Sequence, residues 1–233
     1  MKTIITACLA LLLCTTATAQ SNFYKMSFGG GFGITTSYAD VEKHSKAFAG
    51  NLVFDYYFTP FISLGLEGQM GEVAGGDIDT DPYHRQFINQ FKAFAFTGKV
   101  ALGALTDYEH NNFLDNIKGL YLGSGVGLIQ NKMTGIVRRD PLTDAYYPGS
   151  DESKDLRIPI NLGIDFFFPN KYGQTRLLLN VNYQGNIILG EGLDGYDDSS
   201  RRFRSGSPDI YTFLSIGLRY QFGQIGLSKK SFF

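Results

Sequence analysis

A long alternation of apolar and polar positions lies near the end of the chain, from Asp209 to Phe222 (DIYTFLSIGLRYQF). Successive side chains of a β-strand point to opposite faces, so every second residue shares a face. One face carries Ile210, Thr212, Leu214, Ile216, Leu218, Tyr220 and Phe222, and the other carries Tyr211, Phe213, Ser215, Gly217, Arg219 and Gln221. The run exceeds the usual strand of ~5 to 6 residues and reaches the ~9 to 11 with which a strand crosses a membrane.

The same alternation recurs in seven earlier segments. They are Tyr24–Tyr38, Phe48–Phe58, Phe61–Met70, about Phe87–Leu105, Gly119 to about Lys132, Leu156–Phe168 and Gln174–Leu189. Short turns and long polar stretches alternate between them, which is typical of strands that pair with their neighbours in sequence. The pattern therefore predicts an all-β chain of eight antiparallel strands.

The first nineteen residues differ from the rest of the chain. They combine a basic start at Lys2, an apolar run from Ile4 to Leu13 and the small residues Ala17 and Ala19 before Gln20. These are the features of a cleaved secretory signal peptide, so we predict a leader over residues 1–19, a barrel over residues 20–222 and a short tail over residues 223–233. Both cysteines of the chain lie in the leader, so the exported protein is expected to contain no disulfide.

Composition and charge narrow the class of protein further. The chain has 28 Gly, 14 Tyr and 20 Phe, with no convincing amphipathic helix, and this composition favours an all-β fold. Acidic residues number 22 and basic residues 21, so a nucleic-acid partner has no electrostatic support. Past residue 20 there is no apolar run of the ~18 residues expected of a membrane-spanning helix. The chain is therefore either an exported soluble protein or one that crosses a membrane as strands.

The polar face of the strands decides between these two possibilities. It carries the charged residues Asp55, Glu67, Lys99, Asp165, Arg176 and Arg219. A soluble ligand-binding barrel of the lipocalin kind would place apolar side chains inside, and its cavity would not tolerate these charges. In lipid every backbone polar group must be paired within the protein, so a spanning sheet has to close on itself. The expected fold is an eight-stranded antiparallel up-and-down transmembrane β-barrel, apolar outside and polar inside.

The last strand also ends in an aromatic residue with apolar residues two, four, six and eight positions before it. These residues are Leu214, Ile216, Leu218, Tyr220 and Phe222. The arrangement resembles the barrel-closing strand of small eight-stranded bacterial outer-membrane β-barrels of the OmpA and OmpX type. The resemblance implies a location in the cell outer membrane of a Gram-negative bacterium. It also implies outer-membrane lipid, lipopolysaccharide and the barrel-assembly machinery as partners.

The charged residues of the inner face suggest how such a barrel is closed. An eight-stranded barrel is only wide enough for side chains to fill it. Counting from the short turns places Asp55, Glu67, Asp165, Arg176 and Arg219 in the periplasmic half of the interior, with Lys25 and Lys99 as further candidates. Charges in so confined a space must pair, so we predict a salt-bridge plug. A narrow gated channel, helped by the glycines of the first and fifth strands, is the alternative.

Other chemical motifs are weak. Asp77, Asp79 and Asp81 have the alternate spacing of a calcium loop, but Pro82 and Ile88 replace its Gly and Glu, so a solvated acidic loop is the better interpretation. His44, His84 and His110 form no recognisable catalytic set with a nucleophile, and we expect neither an enzyme nor a cofactor. Five arginines in the long loops could meet lipopolysaccharide phosphates: Arg138, Arg139, Arg201, Arg202 and Arg204.

The expected role follows from the loops, because a closed barrel leaves them as its variable surface. We expect a structural or surface-interaction role in the outer membrane. A small passive channel or porin is the first alternative. An accessory barrel of a secretion or envelope-assembly system is the second.

Overall fold

The computed structural model describes residues 20–38, 43–108, 110–170, 174–190, 192–196 and 209–229, so the predicted leader lies outside the described residues. Eight antiparallel strands pair in sequence order, and the last pairs with the first to close a barrel. The strands are β1 (Gln20–Tyr38), β2 (Lys46–Thr59), β3 (Ile62–Gly76), β4 (Gln86–Ala101), β5 (Leu120–Ile136), β6 (Glu152–Pro169), β7 (Thr175–Leu189) and β8 (Ile210–Lys229). The predicted fold class is confirmed.

The apolar and polar positions that alternate in the sequence correspond to side chains that alternate between the two faces of the barrel wall. On β8 the inward Tyr211 and Phe213 are fully buried, while the outward Leu214 and Leu218 are 51% and 54% exposed. The barrel-closing residues Leu214, Ile216, Leu218, Tyr220 and Phe222 all lie on the outer face of this strand. Because the side-chain period is two, one correctly assigned residue fixes the face of every other residue in a regular strand.

Outward side chains form an apolar belt around the barrel. Its exposed members include Phe32, Phe48, Leu122 and Leu128. A monomer in water rarely exposes apolar patches larger than a few hundred Å². A closed barrel with such a belt suits a hydrocarbon environment, in which an apolar outer band faces the lipid.

Two ends of the barrel can be distinguished by their connections. Residues 39–45, 77–85, 137–151 and 190–209 connect strands at one end, which we call the loop end. Residues 60–61, 102–119 and 170–174 connect strands at the other, which we call the turn end.

The seam between β1 and β8 is longer than the sequence pattern predicts. Its register extends from Tyr38 opposite Ile210 to Gln20 opposite Lys229, with a shift between Tyr24 and Met26. The strand therefore continues through most of the predicted tail instead of ending at Phe222. Gly223, at φ 89°, lies at this irregularity, and past it the outward positions are the odd-numbered Ile225 and Leu227. The alternation changes phase there, which is why a strict period of two ends at Phe222.

The connection between β4 and β5 is helical, which the sequence analysis did not predict. Strand β4 ends at Ala101 rather than near Leu105, and a 3-10 helix follows over Leu102–Ala104. A short α-helix, α1 (Asn112–Ile117), begins after Asn111, whose side-chain oxygen accepts hydrogen bonds from the backbone N–H groups of Phe113 and Leu114. This is ordinary N-capping, although six residues are too few to give a periodic signal. No helix among the described residues is both long enough and apolar enough to span a membrane.

Candidate functional site

The interior of the barrel nearest the loop end is an apolar core. It consists of Ala49, Val73, Phe87, Phe91, Ala93, Ile129, Ile188, Leu193, Tyr196, Tyr211 and Phe213. Leu193 and Tyr196 come from the connection between β7 and β8, so this loop folds into the barrel mouth. The expectation of a polar inner face is therefore wrong at this end. This apolar core also explains the irregular sequence pattern at the beginning of β4, where Phe87 and Phe91 face inward while Phe94 and Phe96 face outward.

A hydrogen-bonded network centred on Arg157 lies next to this core. Arg157 is completely buried, and its Nη1 donates to Gln69 Oε1 at 2.6 Å and to the Tyr211 hydroxyl at 2.9 Å. The Gln69 amide nitrogen in turn donates to Glu67 and, at 2.6 Å, to Gln184. The amides therefore connect the buried guanidinium to a buried carboxylate. Such a chain of polar groups is stable only when its charges are compensated within the protein.

The predicted charge cluster lies further toward the turn end. Asp55 is fully buried and accepts hydrogen bonds from Lys99 Nζ at 3.0 and 3.2 Å and from Arg219 Nη1 at 3.2 Å. Arg219 Nη1 also lies 3.7 Å from Asp165 Oδ1. Four of the six predicted residues thus form one network with two positive and two negative charges. Paired in this way, the charges offset much of the cost of their removal from water.

The other two predicted members lie elsewhere. Glu67 is buried but bonds to Gln69 and Gln184, so it belongs to the Arg157 network. Arg176 does not point into the interior: its side chain is exposed at the rim, where Nη1 donates to the Tyr220 hydroxyl at 2.8 Å and the guanidinium lies 4.7 Å from the Tyr24 ring centre. It is the second residue of β7, and so close to a strand end the alternation does not force burial. Its inclusion in the lumen cluster was wrong.

A second apolar cluster covers the turn end of the interior. It comprises Phe61, Ala101, Ala104, Tyr108 and Tyr121, with Ile62, Leu114 and Phe167 packed against it. Tyr108 comes from the connection that contains α1, and burial raises the pKa of its hydroxyl to about 12. The polar interior is therefore enclosed between two apolar layers, each completed by a connection that folds inward. Neither inward-folded connection was predicted, because the contacts that hold each one in place join residues far apart in the sequence.

Hydrogen bonds hold the described parts of the loop end together. Arg138 donates to Asp151 Oδ1 at 2.6 Å and to the carbonyl of Gly195 at 3.1 Å. The Tyr196 hydroxyl donates to the carbonyl oxygens of Val137 and Gln86 at 2.9 and 3.1 Å. Burial raises the pKa of Tyr196 to about 12, because the charged tyrosinate is disfavoured away from water. These contacts connect the β5–β6 and β7–β8 connections to the beginning of β4.

The remaining sequence candidates occupy ordinary loop positions. Asp77 pairs with Lys43, and Asp81 Oδ1 accepts hydrogen bonds from the backbone N–H groups of Tyr83 and Arg85. Arg139 pairs with Asp144 at 3.0 Å. Arg201, Arg202 and Arg204 lie outside the described residues. Within the described part of the chain, no group of three or more His, Cys, Asp and Glu side chains could hold a metal ion.

Each of the three histidines contacts a different residue. The ring of His44 packs on Tyr38 with 4.7 Å between ring centres. His84 Nδ1 lies 3.3 Å from Asp140 Oδ1, and His110 Nδ1 lies 3.2 Å from Asp107 Oδ2. The pKa of the Asp140 carboxyl is lowered, first by the Thr143 hydroxyl and then by the Leu142 N–H, with a smaller contribution from His84. In these described contacts no histidine meets a serine or threonine hydroxyl.

No protein-family model matches the chain, and no curated protein matches it significantly in sequence. Solved structures do match it. The Neisserial surface protein A is similar with a TM-score of 0.52 and 10% identity, over 88% of this chain and 99% of that one. The attachment invasion locus protein of Yersinia pestis gives 0.43 and 12%, over 86% and 99%. The N-terminal barrel of Pseudomonas aeruginosa OprF gives 0.39 and 12%, over 86% and 100%. The chain thus has the fold of the small eight-stranded outer-membrane β-barrels.

Proposed function

We propose that the protein is an integral β-barrel of the bacterial outer membrane with a closed interior, and that it has a structural or surface-interaction role through its loop end. The observation that carries the proposal is a closed barrel with an apolar belt outside and a filled interior. Lipid is the environment in which that belt is stable, because water would have to solvate it. A filled interior disfavours the passive channel and leaves the loops as the functional surface.

The structure of the loop end favours an interaction role, because large exposed side chains lie there on loops that are connected by hydrogen bonds. Leu142, Tyr146 and Tyr83 are 77%, 61% and 44% exposed. The loops that carry them are connected by the Tyr147 hydroxyl, which donates to the Tyr83 carbonyl at 3.0 Å. Tyrosine side chains on a pre-organised surface lose little entropy on binding and are enriched in protein interfaces.

Cysteine labelling tests location and orientation together. Both natural cysteines lie in the predicted leader, so Leu142→Cys and Asn116→Cys would each add a single thiol to the exported chain. Leu142 is exposed at the loop end, and Asn116 is exposed in α1 at the turn end. In intact cells a membrane-impermeant maleimide should label the Leu142→Cys variant only. Labelling of both or of Asn116→Cys alone, or recovery as a soluble protein, would contradict the proposal.

Heat-modifiability provides the accompanying control for folding. A closed barrel in detergent should migrate differently on a gel before and after boiling, because the hydrogen-bonded sheet resists unfolding until heated. Each cysteine variant should keep this shift, so that a failure to label cannot be attributed to misfolding.

A further inference from the structure

The outer face of β3 to β6 changes abruptly from apolar to charged near the loop end. One row across these strands is apolar: Gly68, Phe94, Leu128 and Leu156 are successive register partners. The next row toward the loop end consists of Met70, Lys92, Gln130 and Lys154, and the row after that of Glu72, Gln90, Lys132 and Glu152. We call the last two rows together the lysine patch.

The lysine patch contains three lysines and two glutamates, so its net charge is positive. Lys132 lies 3.3 Å from Glu152, and Glu72 accepts a hydrogen bond from the neutral amide of Gln90 at 3.1 Å. Lys92 and Lys154 make no ion pair with the described residues, and both are exposed. They flank Gln130 in the same row, one strand away on either side, so their backbones are about 10 Å apart. Two flexible lysine side chains at this spacing can meet a single phosphate above Gln130.

The surface at the lysine patch is also concave. A groove of about 530 Å³ is lined by Met70, Gln90, Lys92, Gln130 and Lys132 together with the carboxylates Glu72 and Glu152, and Lys154 lies beside it in the same row as Lys92. Gly68 lies in the apolar row beneath, and a Cβ atom added there would meet nothing within 4 Å. The patch therefore combines room for a polar head with a recess in the apolar surface directly below it.

The lysine patch lies directly beside the apolar belt. Lys92 is the next outward position after Phe94 on β4, and Lys154 is the next after Leu156 on β6. In the proposed membrane the two lysines therefore lie at the edge of the surface that faces lipid, next to its headgroups.

We propose that the lysine patch binds the anionic phosphate headgroup of a membrane lipid, whose acyl chains lie on Phe94, Leu128 and Leu156. The inference rests on the proposed membrane location. The phosphate neutralises Lys92 and Lys154, and the same molecule covers the apolar row below them. A lipid satisfies both requirements at once, whereas inorganic phosphate satisfies only the first.

Brominated lipids test the proposal, because the chain contains no tryptophan. Phe94→Trp places a single fluorophore below the patch, and Leu218→Trp places a matched one on the outer face of β8. Each variant is refolded in phosphatidylcholine vesicles that contain a minority of bromoacyl phosphatidic acid or, separately, bromoacyl phosphatidylcholine. Phosphatidic acid should be preferred about tenfold near Phe94→Trp, and about equally with phosphatidylcholine near Leu218→Trp.

Charge variants then identify the site. Lys92→Gln with Lys154→Gln, added to Phe94→Trp, should reduce the preference to about one, whereas Lys46→Gln, an exposed lysine on β2, should leave it unchanged. An equal preference at both reporters, no response to the double variant, or loss of the preference in millimolar inorganic phosphate would overturn the proposal. Quenching by bromoacyl phosphatidylcholine at both reporters establishes insertion independently, so its absence would count against the membrane location instead.

Discussion

Asp55 is the residue on which the buried charges depend, because it accepts from both Lys99 and Arg219. We expect Asp55→Asn to lower the free energy of unfolding by about 3 to 5 kcal/mol, since the change leaves buried positive charge without its partner. Urea unfolding in lipid vesicles, followed by the heat-modifiable gel band, measures the change. Asp144→Asn is the matched control: its carboxylate is 78% exposed and pairs with Arg139, so its loss should cost less than about 1 kcal/mol. Equal effects would contradict the assignment of Asp55 to a closed interior.

Tyr196 should make the loop end sensitive to alkali. Its pKa in the folded protein is raised to about 12 by burial, above the usual value of ~10. The stabilisation from the neutral hydroxyl is therefore fully present below pH ~10 and is lost as the pH rises through about 12. The tyrosinate absorbance of the wild type minus that of Tyr196→Phe should titrate near pH 12. A midpoint near the usual ~10 would show that this side chain does not enter the barrel mouth.

For an individual charged residue, the sequence predicts which face of the barrel wall it occupies only where the strand alternation is regular. Asp55, Lys99 and Arg219 lie well inside regular strands, where alternation determines the face, and all three side chains are buried in the interior. Arg176 lies at a strand end, where a long side chain can turn outward. Arg157 also lies inside a regular strand, but its role depends on Gln69 and Tyr211, which are 88 and 54 residues away in sequence. Pairing over such separations cannot be deduced from one strand.

At the scale of strands, glycines determine how closely β1 and β8 approach. A Cβ atom on Gly33 would meet the carbonyl oxygen of Leu214 and lie 2.7 Å from the Ser215 Cα, both on β8. Gly33→Ala should therefore spread the seam and destabilise the barrel by about 1 to 3 kcal/mol. On β7 an added Cβ at Gly185 would meet nothing within 4 Å, so Gly185→Ala should stay within about 0.5 kcal/mol of wild type. Urea midpoints of the two variants give the comparison, and a loss at Gly185 as large as that at Gly33 would refute it.

Strand existence and orientation were largely predictable, whereas strand ends and connections were not. All eight strands follow from the period-two pattern. The continuation of β8 past Phe222 was hidden by a change of phase, and the helical connection after Ala101 is too short for a periodic signal. Both features are fixed by contacts with other parts of the barrel, such as the hydrogen bond from the Gly103 N–H to the Lys118 carbonyl.

At the scale of the molecule, the two apolar layers and the charged network between them close the interior. A void of about 10 Å³ beside Gly31, Asn180 and Arg219 is comparable to the volume that one water molecule needs. We therefore expect no steady conductance when the purified barrel is inserted into planar bilayers. Large and stable current steps would revive the channel alternative and show that the inward-folded connections open in the membrane.

The seam between β1 and β8 has a consequence for the order of events during folding. Its strands come from opposite ends of the chain, yet they pair along their whole length. Contacts between such distant segments form slowly, because the chain loses entropy on closing the loop between them before it gains the hydrogen bonds of the paired strands. Until β8 has been synthesised and pairs with β1, both edges of the sheet carry unpaired backbone N–H and C=O groups. Such edges are unstable in lipid and can pair wrongly with a neighbouring chain. We therefore expect closure to be the last and rate-limiting step, with the unfinished sheet dependent on a helper that holds both edges until they join.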